Sequence, residues 1–374
     1  MGSNLERCEH MSIFGFSQRE SKQSDNNRKR GDSRRSRSER RETSDILPVK
    51  KRIKRMKPNE SGLYPHEVLL LSYAPTYYIE KNSFPKFWWY RYGVKNVDKG
   101  LKSLKKRGFL KVGSIDATIQ NETAEDLKEI LRAHHLETSG KKAELVQRLV
   151  DEMPRDKLDE LFRDRTYELT DKGQAVLSAE EHILYIHRHS IEDLDIWTLN
   201  EKVKANPGYS YRDIVWEYMN KKSLKYYKHS DFGMYRNCRL SMAEFLEEEG
   251  KDDSAFIYLA EVVLIDLSGV SNGFSMDYME TYADSFFPYS TSEVKVAPVI
   301  IDKIRTYQLD KDLSDDELKS KLIDLMNRLQ LPFSLFTVEE AADIVVMEIH
   351  GDREGLERIY RKVKERFDEE YGGS

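Results

Sequence analysis

Cysteine is nearly absent: Cys8 and Cys238 are the only two in 374 residues. That excludes a disulfide framework and a cysteine-rich zinc site, and it favours a reducing compartment. Long apolar runs are missing as well, and nothing approaches the ~18 consecutive apolar residues of a membrane span. The stretch IFGF (13–16) is too short for a secretory signal core. Glu6 stands where a myristoylation signal takes Ser or Thr, and Met11 would serve equally well as a natural start. The phosphate-loop, nucleophile-elbow and H-E-x-x-H patterns do not occur. His182, His187 and His189 lie near one another, but only His182 and His189 approach one helical face and no cysteine joins them, so no metal site is expected. The acidic clusters EFLEEEGKDD (244–253) and DLSDDE (312–317) read as helix surfaces and caps. No cofactor and no catalytic constellation is expected.

What is present is charge, unevenly placed. The formal net charge is −5, yet residues 1–60 hold 17 Lys and Arg against 9 Asp and Glu. The remainder holds 44 against 57, so a basic arm precedes an acidic body. The arm contains RKRGDSRRSRSERR (28–41) and KKRIKRMK (50–57), with few aromatics and no periodicity. Residues 1–62 are therefore expected to be disordered, and to act on phosphate backbones, as a nuclear-import signal, or as a solvated tail.

Order is expected from LYPHEVLLLSYA (63–74), an apolar helix, followed by the aromatic segment FPKFWWYRYGV (84–94). In NVDKGLKSLKKRGF (96–109), Asn96 suits an N-cap, and Val97, Leu101 and Leu104 share one face. Gly108 suits a helix end, and FLKV (109–112) alternates like a strand. Helix, short helix, helix, strand resembles the front of a winged helix. The return strand of its wing is delayed by more than fifty residues, to TYELTDKGQAVL (166–177). Residues 63–178 thus read as a winged-helix-like domain with an insertion at 115–163, a site where the flanking strands can stay paired. From 179 to 374 the pattern is helical, with segments at 179–189, 211–229, 233–250 and 252–269. Capping boxes at Ser314/Glu317 and Thr337/Glu340 open later helices, and a last helix spans 354–371. Ala243, Ala255 and Leu259 give 233–268 a tetratricopeptide-like cast, without that motif's tryptophan and proline.

The insertion carries the sharpest signal. TAEDLKEILRAHHL (123–136) predicts a helix capped by Thr123 with Asp126 three residues on, its apolar face formed by Leu127, Ile130 and Leu131. An extended ETSG follows, and Ser139 is expected to cap a second helix with Leu145, Val146, Leu149 and Val150 inward. That helix begins with Lys141 and Lys142, where unpaired amides and the helix dipole disfavour cations by a few tenths to ~1 kcal/mol. An anion would reverse the penalty. The amides of Gly140, Lys141 and Lys142 would cradle a phosphate, the two ammonium groups would strengthen it, and Arg148 on the same helix would reach neighbouring backbone or a groove edge.

These residues resemble a SAP domain, the short helix–extended loop–helix DNA-binding module, over 123–153. The resemblance implies duplex DNA binding, often on A·T-rich tracts, and the matching positions are Thr138, Ser139, Gly140, Lys141, Lys142 and Arg148. His135 departs from the glycine usual before the leucine, although His tolerates positive φ better than most residues. Lys99, Lys102 and Lys106, on the outer face of 97–106, are further DNA-contact candidates or a plain solvent face. KFWWYRY (86–92) reads as core or as a base-stacking platform.

The fold class expected is mainly α: a disordered basic arm, a winged-helix-like domain carrying the SAP insertion, and an all-helical C-terminal domain. The function expected is non-catalytic binding of double-stranded DNA, with a protein partner on the helical domain and no membrane contact. The setting expected is a phage or bacterial nucleoid, or the nucleus of a eukaryote. A scaffold whose helical hairpins bind a partner, and a nuclease with its site in 179–374, are the rival readings.

Overall fold

A computed structural model of the chain describes residues 46–371, apart from Lys81, Ser190 and 271–275. The basic run 28–41 and Cys8 lie outside the described residues. The chain is mainly helical. Contacts divide it into two compact units. Of the described residues, one unit comprises those up to His66 with Thr76–Arg107 and Val112–Tyr167, and the other comprises Glu67–Pro75, Gly108–Lys111 and those from Glu168.

The basic segment 50–57, expected to lack regular structure, is helical for most of its length. Helix α1 spans Val49–Arg52 and a 3₁₀ turn follows at Ile53–Arg55. Pro48, lacking an N–H, precedes the first turn at no hydrogen-bond cost. The segment is anchored by Val49 N–H, which donates to the Gly93 carbonyl at 3.0 Å. Long-range anchoring of this kind is invisible to composition.

Helix α2 (Pro65–Tyr73), the short α3 (Phe87–Tyr90) and α4 (Val97–Lys106) follow in the expected order. Asn96 caps α4 by accepting from Lys99 N–H at 2.8 Å, and Val97, Leu101 and Leu104 are buried. Strand β1 (Leu110–Val112) pairs with β2 (Tyr167–Leu169) across the whole of 115–163. Gly113 N–H donates to Thr166 O (2.8 Å) and Thr170 N–H to Phe109 O (3.1 Å), a register that runs the two strands antiparallel. Tyr78 adds an antiparallel bridge to Thr166.

Between the strands lie four helices, α5 (Ile115–Asn121), α6 (Ala124–Ala133), α7 (Lys142–Glu152) and α8 (Arg155–Leu161). Helix α5 was not expected. Ser114 caps it by accepting from Ala117 N–H, and Ile115 and Ile119 give it an inward face. These helices share a core of their own: Ile115, Ile119, Leu127, Leu131, Leu145, Leu149, Met153, Leu158 and Phe162. At ~1.5–3 kcal/mol for each fully buried large apolar side chain, this core is what lets so short an insertion hold a fold between two strands.

From β2 onward the chain is helical: α9 (Asp171–Ala179), α10 (Glu181–Arg188), α11 (Ile196–Ala205), α12 (Tyr211–Lys228), α13 (Phe232–Glu248) and α14 (Asp252–Ser268). Then come α15 (Ala283–Phe286), α16 (Pro298–Asp310), α17 (Asp315–Met326), α18 (Val338–His350) and α19 (Arg353–Tyr371). Both expected capping boxes form, at Ser314/Glu317 and Thr337/Glu340. Ala243 and Ala255 are both buried, one on each of the mutually packed helices α13 and α14. The three neighbouring histidines take separate partners: His182 faces Asn200, His187 faces Tyr73, and His189 faces Glu248.

Candidate nucleic-acid interface

The site is a turn between two helices, and each of its ends is fixed by a local rule. Helix α6 starts with a complete capping box: Asp126 N–H donates to Thr123 Oγ1 (3.1 Å), and Thr123 N–H donates to the Asp126 carboxylate (3.3 Å). It ends with His135 at φ +60, in the left-handed region. Leu136 N–H donates to Leu131 O (2.9 Å) and His135 N–H to Arg132 O (3.1 Å), the paired closure of a Schellman turn. The position that breaks the family pattern is therefore the one that bears the positive φ.

The extended loop then departs from expectation in three respects. First, Ser139 does not cap α7. Gly140 has φ +115 and Lys141 is extended, so the helix begins at Lys142 with Lys141 as N-cap. The Ser139 hydroxyl donates instead to the Glu137 carboxylate. Second, the Lys141 amide is not open. It donates to Glu144 Oε2 at 2.7 Å, so a carboxylate of the helix's own first turn fills part of the expected cradle. The positive φ of Gly140 favours glycine there, and a Cβ would push the Glu144 carboxylate aside. Third, Arg148 turns back on the loop. Its Nη1 donates to the carbonyls of Glu137 (2.7 Å) and Ser139 (2.9 Å), and its side chain is only 18% exposed. Arg148 holds the loop in shape.

What remains open is the helix edge. The ammonium groups of Lys141 and Lys142 are exposed and form no ion pair among the described residues. The amides of Gly140, Lys142 and Ala143 likewise have no partner among the described residues. Thr138 is half-buried in the loop. The positive end of α7 is thus intact, with one internal carboxylate beside it.

Lys99, Lys102 and Lys106 are all exposed on α4, opposite its buried Val97, Leu101 and Leu104. Lys102 is engaged by Asp98 at 2.8 Å, one helical turn away, and this carboxylate raises the ammonium's pKa above its ordinary value. Lys99 and Lys106 have no ion pair among the described residues. The aromatic segment divides. Trp88 is buried, with its Nε1 donating to Tyr77 Oη at 2.9 Å, whereas Trp89 is half-buried and Tyr90 is 58% exposed.

Sequence reasoning missed Glu144 as the internal cap and Arg148 as the clamp. The first had a signal, since K-K-A-E places a Glu three residues after an extended residue, which is half of a capping box. The second had none, because nothing in a linear pattern says which way a long side chain folds.

Residues 120–152 match the family model of the SAP domain. No curated protein matches the chain. Among the described residues, no helix is long and apolar enough to cross a membrane.

Proposed function

We propose that the chain is a non-catalytic protein that binds double-stranded DNA, with the SAP module docking the open edge of α7 on backbone phosphates. The observation that carries this reading is the pair of exposed, unpaired ammonium groups, Lys141 and Lys142, beside three unengaged amides in a segment that matches the SAP family. A phosphate there gains both the helix end and the two charges, and the penalty that makes the sequence odd in isolation disappears. With Arg148 and the Lys141 amide used internally, the contact is led by ammonium groups rather than by a full amide cradle. It carries little base-edge information, so any A·T preference arises from groove width and potential.

Affinity must come from elsewhere too, and the fold offers Lys99 and Lys106. The chain order α2, α3, α4, β1, β2 is that of a winged helix, although contacts divide these elements between the two units, and in that fold α4 would lie against the major groove. Residues 179–374 hold 24 Lys and Arg against 39 Asp and Glu, so their field repels a duplex and leaves them for protein contacts. Such a protein works where the DNA is, in a nucleoid or a nucleus.

The test is a titration of the intact chain on A·T-rich and G·C-rich duplexes over a salt series. Lys141→Glu/Lys142→Glu is expected to lower affinity by about tenfold and to flatten the salt slope by about two. Unchanged affinity and slope would remove the module from the interface. Plasmid incubated with Mg²⁺ or Mn²⁺ should stay intact, and cleavage that depends on the metal would replace this reading with that of a nuclease.

A further inference from the structure

The residues left over by that reading include a second cationic surface of different character. Residues 46–59 and 84–97 contain no Asp or Glu. The backbone brings them together: Val49 N–H donates to Gly93 O, and a Cβ on Gly93, at φ +69, would collide with the Leu47 carbonyl. Only glycine permits that approach, so α1 and its 3₁₀ turn are seated on the 89–95 turn. Lys50, Lys51, Lys54 and Arg55 are exposed on the first segment, and Lys86, Arg91 and Lys95 on the second.

Trp89 and Tyr90 lie on the second of these segments, between Lys86 and Arg91 in the chain. Tyr90 is 58% exposed. The half-buried Trp89 is braced by Lys95, whose ammonium lies 4.7 Å from the ring centre. A duplex keeps its base faces stacked inside and meets a surface ring only at the cost of unstacking a step. A single strand can use both features. Its phosphates meet the cations and an unstacked base covers the ring.

We propose that the face formed by Lys50, Lys51, Lys54, Arg55, Trp89 and Tyr90 binds single-stranded nucleic acid, with Tyr90 stacking on a base. This contact is separate from the SAP edge and does not depend on it. Together the two would let one chain hold a duplex and an adjoining unpaired strand.

The experiment is fluorescence anisotropy of the full-length protein with labelled oligo(dT), oligo(U) and a hairpin duplex. Tyr90→Ala is expected to weaken single-strand binding about tenfold or more while leaving duplex binding within about twofold. Tyr90→Phe, which keeps the ring, should bind like the parent. Lys54→Glu/Arg55→Glu provides a second route that leaves the aromatics untouched, and should also weaken the single strand more than the duplex. Lys141→Glu/Lys142→Glu should do the opposite, so failure of the SAP reading and failure of this one are distinguishable. Binding to either oligonucleotide that falls selectively in Tyr90→Ala supports the face, with the dT and U arms telling DNA from RNA. Absence of single-strand binding, or equal losses on single strand and duplex, would overturn it.

Discussion

Residues 46–107 and the insertion 115–163 both present lysines to solvent, yet their charge differs in sign. The first holds 15 Lys and Arg against 4 Asp and Glu, and the second 8 against 12. The segment that matches the SAP family therefore sits in a net negative stretch, and the helices before it carry the net positive charge. Position accounts for this. In the insertion, carboxylates are spent on structure: Asp126 and Glu144 satisfy helix amides, Glu137 takes the Ser139 hydroxyl, and Asp116 pairs with Arg155 at 2.9 Å. In 46–107 few acids are present to neutralise the surface. The insertion thus offers a shaped edge and the preceding helices offer attraction.

Charge reversal tests this division most strongly. Lys99→Glu/Lys106→Glu should lower duplex affinity by about a hundredfold at low salt, more than the same change at Lys141 and Lys142, because it acts on the stronger field. A smaller loss than at the SAP edge, measured in the same salt series, would invert the comparison. Next comes Arg148→Ala. Losing two hydrogen bonds from a charged donor should destabilise the insertion by about 2 kcal/mol in denaturant unfolding. DNA affinity should fall with the salt slope unchanged, because the clamp shapes the loop without touching phosphate. A flatter slope would instead mark Arg148 as a direct contact. His135→Gly removes the side chain from a left-handed position and should stabilise the module by about 1 kcal/mol. A loss on that change would mean that the His135 side chain does something beyond bearing the turn. The smallest effect is expected from Glu144→Gln. An amide oxygen still accepts from Lys141 N–H, while the negative charge beside the proposed phosphate is gone. Duplex binding should tighten by about threefold, of the order expected for one screened charge. Weaker binding would mean that the cap, not the charge, controls the edge.

Much of the scaffold was legible because its signals are local. Thr123 with Asp126, Ser314 with Glu317 and Thr337 with Glu340 cap helices within one turn, so residue order alone reports them. The inward faces of α4, α6 and α7 follow from helical spacing in the same way. Other features depend on partners far along the chain. The basic stretch 50–57 reads as featureless until Gly93 accepts from Val49. Trp88 and Trp89 are adjacent and identical, and only packing sends one inside and leaves the other at the surface.

The candidate site shows the same limit at closer range. Residue identity singles out Lys141 and Lys142, because two cations at a helix's positive end are unfavourable wherever the helix sits. It does not say which amides stay open, since that depends on whether Glu144 reaches the Lys141 N–H or points to water.

Taken by itself, the sequence determined the helical periodicities, the caps of α4, α6, α17 and α18, the acidic body behind a basic front, and the resemblance of one short segment to a DNA-binding module. Each follows from neighbours within a turn or two, where propensity and charge act directly. The tertiary structure alone decided that Arg148 closes the loop, that α1 is seated on the Gly93 turn, and that Tyr90 faces solvent while Trp88 is buried. Those outcomes depend on which distant groups come within hydrogen-bond or van der Waals reach, and that is fixed only when the chain has packed.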